Sequence, residues 1–232
     1  MKKVSLLMTL FSFCLVSFAQ QNLEGAWILR EGENNIVLLL KDGYFTFTEY
    51  SNHTFINSWG GPFTVSGNNI KIKKEFDAQH NEETGTVMQL SFSDKNGQLT
   101  IKTENHSTVY TRLDDGKAPL AGVWKITGRE QDGKLIDIHQ TGPRKTLKML
   151  TGGWFQWFAI NPETKQFSGT GGGSYTFEDG KYTENILFFS RDSSRIGAKL
   201  EFDGKLVDGK WHHSGLSSKG DKIYEVWGRL RS

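Results

Sequence analysis

The sequence has very little cysteine: Cys14 is the single one among 232 residues. A disulfide within the chain and a cysteine-ligated metal site are therefore both excluded. The fold must be stabilised by ordinary packing, and the chain is long enough to build one or two hydrophobic cores.

The sequence also lacks a strong charge imbalance, with 28 Lys and Arg against 26 Asp and Glu. Lys and Arg do not gather into a basic cluster, so a nucleic-acid partner is not expected. Beyond the N-terminal region no segment is apolar enough to span a membrane. Sustained helical periodicity is missing as well.

The N-terminal residues are typical of a secretory signal. Two lysines precede an apolar run over residues 4–18, and the small side chains of Ser17 and Ala19 mark a cleavage site. The run is shorter than the roughly 20 residues that a membrane-spanning helix needs. We therefore expect a signal peptide over residues 1–19 and a periplasmic or secreted protein. Lipidation at Cys14 is disfavoured because a bulky phenylalanine precedes it.

Aromatic residues are abundant, with 16 Phe and 7 Trp, and they suit β-sheet cores. Short alternating runs are separated by pairs that favour hairpin turns. These pairs are Asp42-Gly43, Gly67-Asn68, Asn96-Gly97, Asp132-Gly133, Asp179-Gly180, Asp203-Gly204 and Asp208-Gly209. The pattern predicts an all-β protein.

The chain repeats itself, and the repeat defines its domains. The matching segments are Leu23–Trp27 with Leu120–Trp124, Asp42–Phe47 with Gly152–Trp157, Gly60–Val65 with Gly172–Phe177, and Tyr110–Leu113 with Trp227–Leu230. A polar linker over residues 115–119 separates a unit over 20–114 from a unit over 120–232. We expect about eight antiparallel strands in each unit, closed into a barrel because closure removes unpaired edges.

Two motifs resemble those of a known superfamily. Gly25-Ala26-Trp27 and Gly122-Val123-Trp124 are similar to the Gly-x-Trp that opens the first strand of lipocalins and other calycins. In that superfamily the Trp seals the closed end of the barrel and a basic residue of the last strand packs over it. The resemblance assigns that role to Arg112 and Arg229, whose guanidinium groups would stack on the indoles.

The second unit also resembles a lipocalin-like domain family of unknown function in secreted bacterial proteins. The similar segments are Gly172–Thr176, Gly180–Ile186, Lys210–Gly215 and Glu225–Arg229. The resemblance implies a fold and no particular reaction.

Alternation along the strands selects the candidate ligand-binding residues, because residues i and i+2 share a face. One face of the strand near residue 154 carries Trp154, Gln156 and Phe158, and the opposite face carries Phe155, Trp157 and Ala159. We expect one face to line the barrel and the other to meet the partner unit or the rim. The remaining candidates lie on other faces of the second unit: Tyr175, then Tyr182, Glu184, Ile186 and Phe188 together, then Trp211 with His213, and Glu225 with Trp227 and Arg229.

Glu184 is the most informative candidate because it interrupts an apolar face. A carboxylate turned into a barrel must be paired or hydrogen-bonded. It either pairs with Lys199 or Arg195 in a structural role or belongs to a polar ligand site. Glu225 poses the same question, with Arg229 or Lys222 as its structural partner.

No cofactor or metal is expected. His212 and His213 are adjacent and point to opposite faces of a strand, so they do not readily share a metal ion. The remaining histidines lie in polar, loop-like segments.

These observations predict an exported protein that binds a small molecule in its second barrel: an amphiphile, a lipid or a saccharide. Eight of the candidates form the proposed site: Trp154, Gln156, Tyr175, Tyr182, Glu184, His213, Glu225 and Trp227. Two alternatives stay open. One is a small hydrolase or isomerase with Glu184 or His213 as acid or base, and the other is a structural protein of the cell envelope.

Overall fold

The protein is almost entirely β-sheet, so the predicted all-β class is confirmed. The structure, a computed structural model, describes residues 23–52, 54–139, 141–217 and 219–230. Two short 3₁₀ helices span Asn81–Glu83 and Ser193–Arg195. No helix in these ranges is long and apolar enough to cross a membrane. The predicted signal peptide lies outside the described residues.

The first unit folds into a closed antiparallel barrel. Its strands are β1 (Gly25–Glu31), β2 (Asn34–Lys41), β3 (Tyr44–Tyr50), β4 (Phe55–Ser66), β5 (Asn69–Lys73), β6 (Phe76–Asp77), β7 (Val87–Lys95), β8 (Gln98–Lys102) and β9 (Ser107–Asp114). Their order is β3-β2-β1-β9-β8-β7-β5-β4, and β4 pairs with β3 to close the circle. The short β6 adds to β4 outside the eight-stranded barrel.

The second unit repeats this design. Its strands are β10 (Gly122–Gln131), β11 (Lys134–Asp137), β12 (Lys145–Leu150), β13 (Trp154–Asn161), β14 (Gln166–Glu178), β15 (Lys181–Phe189), β16 (Lys199–Val207), β17 (Lys210–Leu216) and β18 (Lys222–Arg229). Pairing of β10 with both β12 and β18 closes eight strands, and β11 adds to β10. The two tandem barrels predicted from the sequence repeat are therefore present.

Turn chemistry explains five of the hairpin connections. Five Asx residues that precede glycine adopt positive φ, as tight hairpins require: Asp42, Asn96, Asp132, Asp179 and Asp208. The prediction of a turn at Asp203-Gly204 is wrong, because both residues lie inside β16. A Cβ at Gly204 would lie 3.0 Å from the Phe177 ring. This glycine therefore makes room for an aromatic side chain and does not mark a turn.

One end of each barrel is sealed by the predicted pairing of Trp and Arg. The Arg112 guanidinium carbon lies 3.9 Å from the ring centroid of Trp27, and that of Arg229 lies 4.0 Å from Trp124. Each indole also donates a hydrogen bond to the carbonyl four residues before it. Both indoles are fully buried.

The two barrels share a single register, so their interior positions correspond one to one. Trp27 pairs with Leu38 and Arg112, as Trp124 pairs with Lys148 and Arg229. Following the ladders gives these pairs: Leu38 with Lys148, Phe45 with Phe155, Phe63 with Tyr175, Ile70 with Tyr182, Ile72 with Glu184, Met88 with Leu200, Leu90 with Phe202, Leu99 with Trp211, Ile101 with His213, Thr108 with Glu225, and Tyr110 with Trp227.

The barrels pack against each other through their outer faces. One apolar cluster combines residues of β1–β3 and β6 with residues of β10, β12, β13 and β15. Phe158 stacks on Tyr44 and Phe76, with ring centroids 5.5 and 5.1 Å apart, and Phe188 packs on Tyr50 at 5.3 Å. Burial of aromatic surface on this scale holds the two barrels as one unit.

A carboxylate at the end of β9 links the barrels at their junction. Asp114 accepts five hydrogen bonds of 2.7–3.2 Å, from the amides of Ala26, Gly116, Gly152 and Gly153 and from the Thr151 hydroxyl. It therefore binds the first strand of one barrel and the β12–β13 turn of the other. A Cβ at Gly152 would lie 2.9 Å from the Asp114 side chain, so this turn requires glycine.

We expect Asp114→Ala to lower the free energy of unfolding by about 2–4 kcal/mol, because several amides lose a charged acceptor at once. Urea unfolding followed by circular dichroism measures the change. The matched control is Asp115→Ala, which removes an exposed carboxylate paired with the exposed Lys117 and is expected to cost less than about 0.5 kcal/mol. Equal effects from both variants would contradict the linking role.

Candidate functional site

The second barrel contains a cavity of about 270 Å³ at the end opposite the Trp124–Arg229 seal. Its lining is mostly apolar, with a few polar groups: Thr146, Lys148, Trp157, Glu184, Ile186, Phe189, Leu200, Phe202, His213, Ser217, Ile223, Glu225 and Trp227. A largely apolar pocket with a few convergent polar groups is the usual form of a small-molecule site.

A buried ion pair crosses the cavity floor. Lys148 Nζ lies 2.5 Å from Glu184 Oε1, and the two residues are 5% and 4% exposed. The pair joins β12 to β15 across the barrel, since these strands are not neighbours in the sheet. The prediction that Glu184 points into the barrel is fulfilled, whereas its expected partners, Lys199 and Arg195, are not its partners. Those two side chains pair with Glu201 and Asp192 on the surface.

Aromatic rings surround the Lys148 ammonium group. Its Nζ lies 5.0–5.7 Å from the ring centroids of Phe155, Tyr182, Trp211 and Trp227. The faces of these rings carry partial negative charge, so they stabilise the cation where water is excluded. Burial, and then the neighbouring Glu184 carboxylate, raise the pKa of the Tyr182 hydroxyl well above its usual value.

A second polar pair lies on β17 and β18. His213 is 2% exposed, and its Nδ1 lies 3.5 Å from Glu225 Oε2. Neither ring nitrogen of His213 has a hydrogen bond within the described part of the chain. Burial lowers the pKa of His213 and outweighs the opposing effect of Glu225, so the ring is neutral at neutral pH.

Glu225 stays ionised in this environment. Burial alone would raise the pKa of its carboxyl group, but His213, Lys148 and the Trp227 indole hold it below its usual value. The Trp227 Nε1 donates to Glu225 Oε2 at 3.1 Å. The expected structural partners are again absent, because Arg229 stacks on Trp124 at the sealed end and Lys222 lies on the exposed side of β18.

At four interior positions the second barrel has ionisable side chains that the first barrel lacks. The positions of Lys148, Glu184, His213 and Glu225 correspond to Leu38, Ile72, Ile101 and Thr108 in the first barrel. Three of those four are buried aliphatic side chains in an apolar core. The same fold is thus built with a hydrocarbon interior, which shows that closure of the barrel does not require the polar set.

Four of the eight predicted site residues line the cavity together: Glu184, His213, Glu225 and Trp227. Tyr182 lies in the core beside it, within reach of Lys148. Tyr175 is buried near the sealed end, where its hydroxyl donates to the Thr151 carbonyl at 2.7 Å.

Trp154 and Gln156 are placed away from the cavity, on the outer face that meets the first barrel. The Gln156 side chain accepts from Thr48 at 3.2 Å and donates to Ser58 at 2.9 Å. The opposite face of β13, with Phe155 and Trp157, points inward. The expectation of one barrel face and one partner face on this strand is correct, and these two candidates belong to the partner face.

Sequence reasoning missed Lys148, the cation of the site. The signal was present, because Thr146, Lys148 and Leu150 share one face of β12, and Leu147 and Met149 share the other. The repeat alignment would also have paired Lys148 with an apolar Leu38. A lysine is seldom buried without a partner, and its partner Glu184 lies three strands away in the sheet.

No protein-family model and no curated protein matches this sequence. The two closed eight-stranded antiparallel barrels are consistent with a calycin-like fold. Within the described ranges no group of three or more His, Cys, Asp and Glu side chains is placed to hold a metal ion.

Variants of the buried Lys148–Glu184 pair test whether the pair is needed for the stability of the barrel. Glu184→Ile alone leaves the buried Lys148 charge without a counter-ion, and it is expected to lower the free energy of unfolding by about 3–5 kcal/mol. The double variant Lys148→Leu/Glu184→Ile copies Leu38 and Ile72 of the first barrel, and we expect it to be at least as stable as the parent to within about 1 kcal/mol. Urea unfolding of the single and double variants decides the matter. A double variant as unstable as the single would mean that the pair is needed to hold the barrel together.

The neutral state of His213 predicts a pH dependence. Burial depresses the pKa of folded His213 below the ordinary histidine value of about 6.5, so the unfolded chain binds the proton more readily. The resulting stability is present above pH 6.5 and is lost as pH falls below that value. We expect wild type to lose more free energy of unfolding between pH 7.5 and pH 5.5 than His213→Ile, which carries the residue of the first barrel. The pKa of His212 is also lowered, but His212 is present in both proteins. The difference between the two pH dependences therefore reports His213.

Proposed function

We propose that this chain is an exported, lipocalin-like binding protein that holds one small molecule in the cavity of its second barrel. The observation that carries the proposal is the replacement of an apolar interior by Lys148, Glu184, His213 and Glu225 at corresponding positions of one repeated fold. Buried charges cost free energy unless they are paired, so a function accounts for them better than folding does.

The lining supports a ligand with an apolar body and a polar end. Isoleucine, leucine and phenylalanine side chains line the cavity together with the charged groups. A cavity of about 270 Å³ suits a compact molecule or the head of a longer amphiphile. Binding would exchange hydration of the apolar part for contact with the aromatic wall.

The first barrel is proposed as a support. Its core is apolar, and its outer face buries the outer faces of β12, β13 and the Phe188 end of β15. Because β12 carries Lys148, packing from outside fixes the backbone that positions the cation of the ion pair.

Acid–base catalysis by Glu184 is disfavoured because its carboxylate is bound to Lys148 and is not a free base. A purely structural role is disfavoured because a structural barrel has no need of a lined, polar cavity.

A ligand screen, followed by measurements on a variant whose cavity is filled by a larger side chain, tests the proposal. Residues 20–232 are screened by thermal shift against fatty acids, oligosaccharides and small organic acids and amines, and hits are measured by calorimetry. Leu200→Trp places an indole at the cavity wall opposite Glu184, and we expect it to weaken binding at least about tenfold.

The matched control is Met88→Trp, the corresponding position of the first barrel opposite Ile72. It adds the same bulk and is expected to leave the affinity unchanged. Hits that survive Leu200→Trp, or are lost in Met88→Trp, would place the binding site elsewhere. A screen without any hit would count against a binding function.

A further inference from the structure

We infer that the ligand of the second barrel carries a positively charged group, of the protonated amine class, which binds Glu225 beneath an aromatic wall. This inference rests on the proposed function and adds the chemistry of the ligand. It follows from the balance of charges in the cavity.

The cavity holds more negative than positive charge. Lys148 is its cation, and that charge is already matched by Glu184 at 2.5 Å. His213 is neutral because burial lowers its pKa. Glu225 is therefore left as an ionised carboxylate without a full counter-charge.

One oxygen of Glu225 is available to a ligand. The contacts with His213 and with the Trp227 indole are both made to Oε2. Among the described residues, Oε1 has no hydrogen-bond or ion-pair partner. The Glu225 side chain is 26% exposed and lines the cavity, so a donor inside the cavity can reach it.

Within the described ranges, no Lys or Arg side chain forms an ion pair with Glu225. Arg129 lies opposite Glu225 in the β10–β18 ladder, but it is exposed and forms no ion pair with that carboxylate. The other nearby cation of β18, Lys222, lies on the exposed side of the strand. A cation supplied by the ligand would complete the charge balance.

The walls near Glu225 suit such a group. Trp157, Phe189, Phe202 and Trp227 all line the same cavity. Aromatic faces attract a cation that has lost part of its water, and a carboxylate adds a charge-assisted hydrogen bond. An anionic ligand would instead meet an uncompensated carboxylate at close range, which is unfavourable.

Three probes of similar shape test the inference on the wild-type protein: 2-phenylethylamine, 2-phenylethanol and phenylacetate. Calorimetry at pH 7.5 is expected to show the amine binding at least about tenfold more tightly than the alcohol, and phenylacetate binding most weakly. Leu200→Trp is expected to abolish binding of the amine, which places it in the cavity.

Two variants assign the selectivity to one carboxylate. Glu225→Gln is expected to weaken amine binding by about tenfold or more while leaving the alcohol unchanged. Arg129→Gln is the matched control on the facing strand and is expected to leave amine binding unchanged or tighten it.

The inference is overturned if the alcohol or the acid binds as tightly as the amine, if none of the three binds at millimolar concentration, or if Glu225→Gln keeps full amine affinity. The wild-type comparison gives an answer even if Glu225→Gln does not fold. If the acid or alcohol binds and Leu200→Trp blocks it, the binding function stands and only the amine assignment fails.

Discussion

Closure of each sheet into a barrel is the constraint on which the rest of the structure depends. Side chains on a closed strand point either to the interior or to the outer face. In the second barrel the first barrel covers the outer faces of β12, β13 and part of β15, so water is excluded from that side. Polar groups on these strands must therefore find partners within the protein, as Lys148 does with Glu184 and Gln156 does with Ser58 and Thr170.

The two barrels provide an internal comparison between an apolar interior and an interior that contains ionisable side chains. Both use the same register, the same Trp–Arg seal and the same glycines where β3 and β13 approach their neighbours. A Cβ at Gly60 would lie 2.3 Å from the Phe45 carbonyl, and one at Gly172 would lie 2.5 Å from the Phe155 carbonyl. The scaffold is thus held constant while four interior positions change to ionisable side chains, which is the distribution expected when functional sites are built on a fold that does not itself need them.

Much of the fold could be predicted from sequence because its signals are local. Asx-Gly pairs define hairpins, alternation defines faces, and the repeat of Gly-x-Trp with a terminal Arg predicts two sealed barrels. The site was predicted less completely because its partners are distant in sequence. Nothing near Glu184 indicates that its cation is Lys148 on β12, since that contact depends on the curvature of the closed sheet. Phe188 was expected to share a face with Glu184, but a bulge between Gly172 and Gly173 turns it outward onto Tyr50. An irregularity of one residue inverts every side chain beyond it.

The packing of the first barrel onto one side of the second divides the cavity wall into two halves of different mechanical character. Lys148 stands on β12, whose outer face packs on the first barrel, whereas His213 and Glu225 stand on β17 and β18, which contribute no residue to that contact. Backbone that packs against protein on both faces opens less readily than backbone with one face in water, so amide hydrogen exchange is expected to be slower along β12–β13 than along β16–β18. If the cavity binds a small molecule, as proposed above, differences in ligand size would be accommodated on the side of β16–β18.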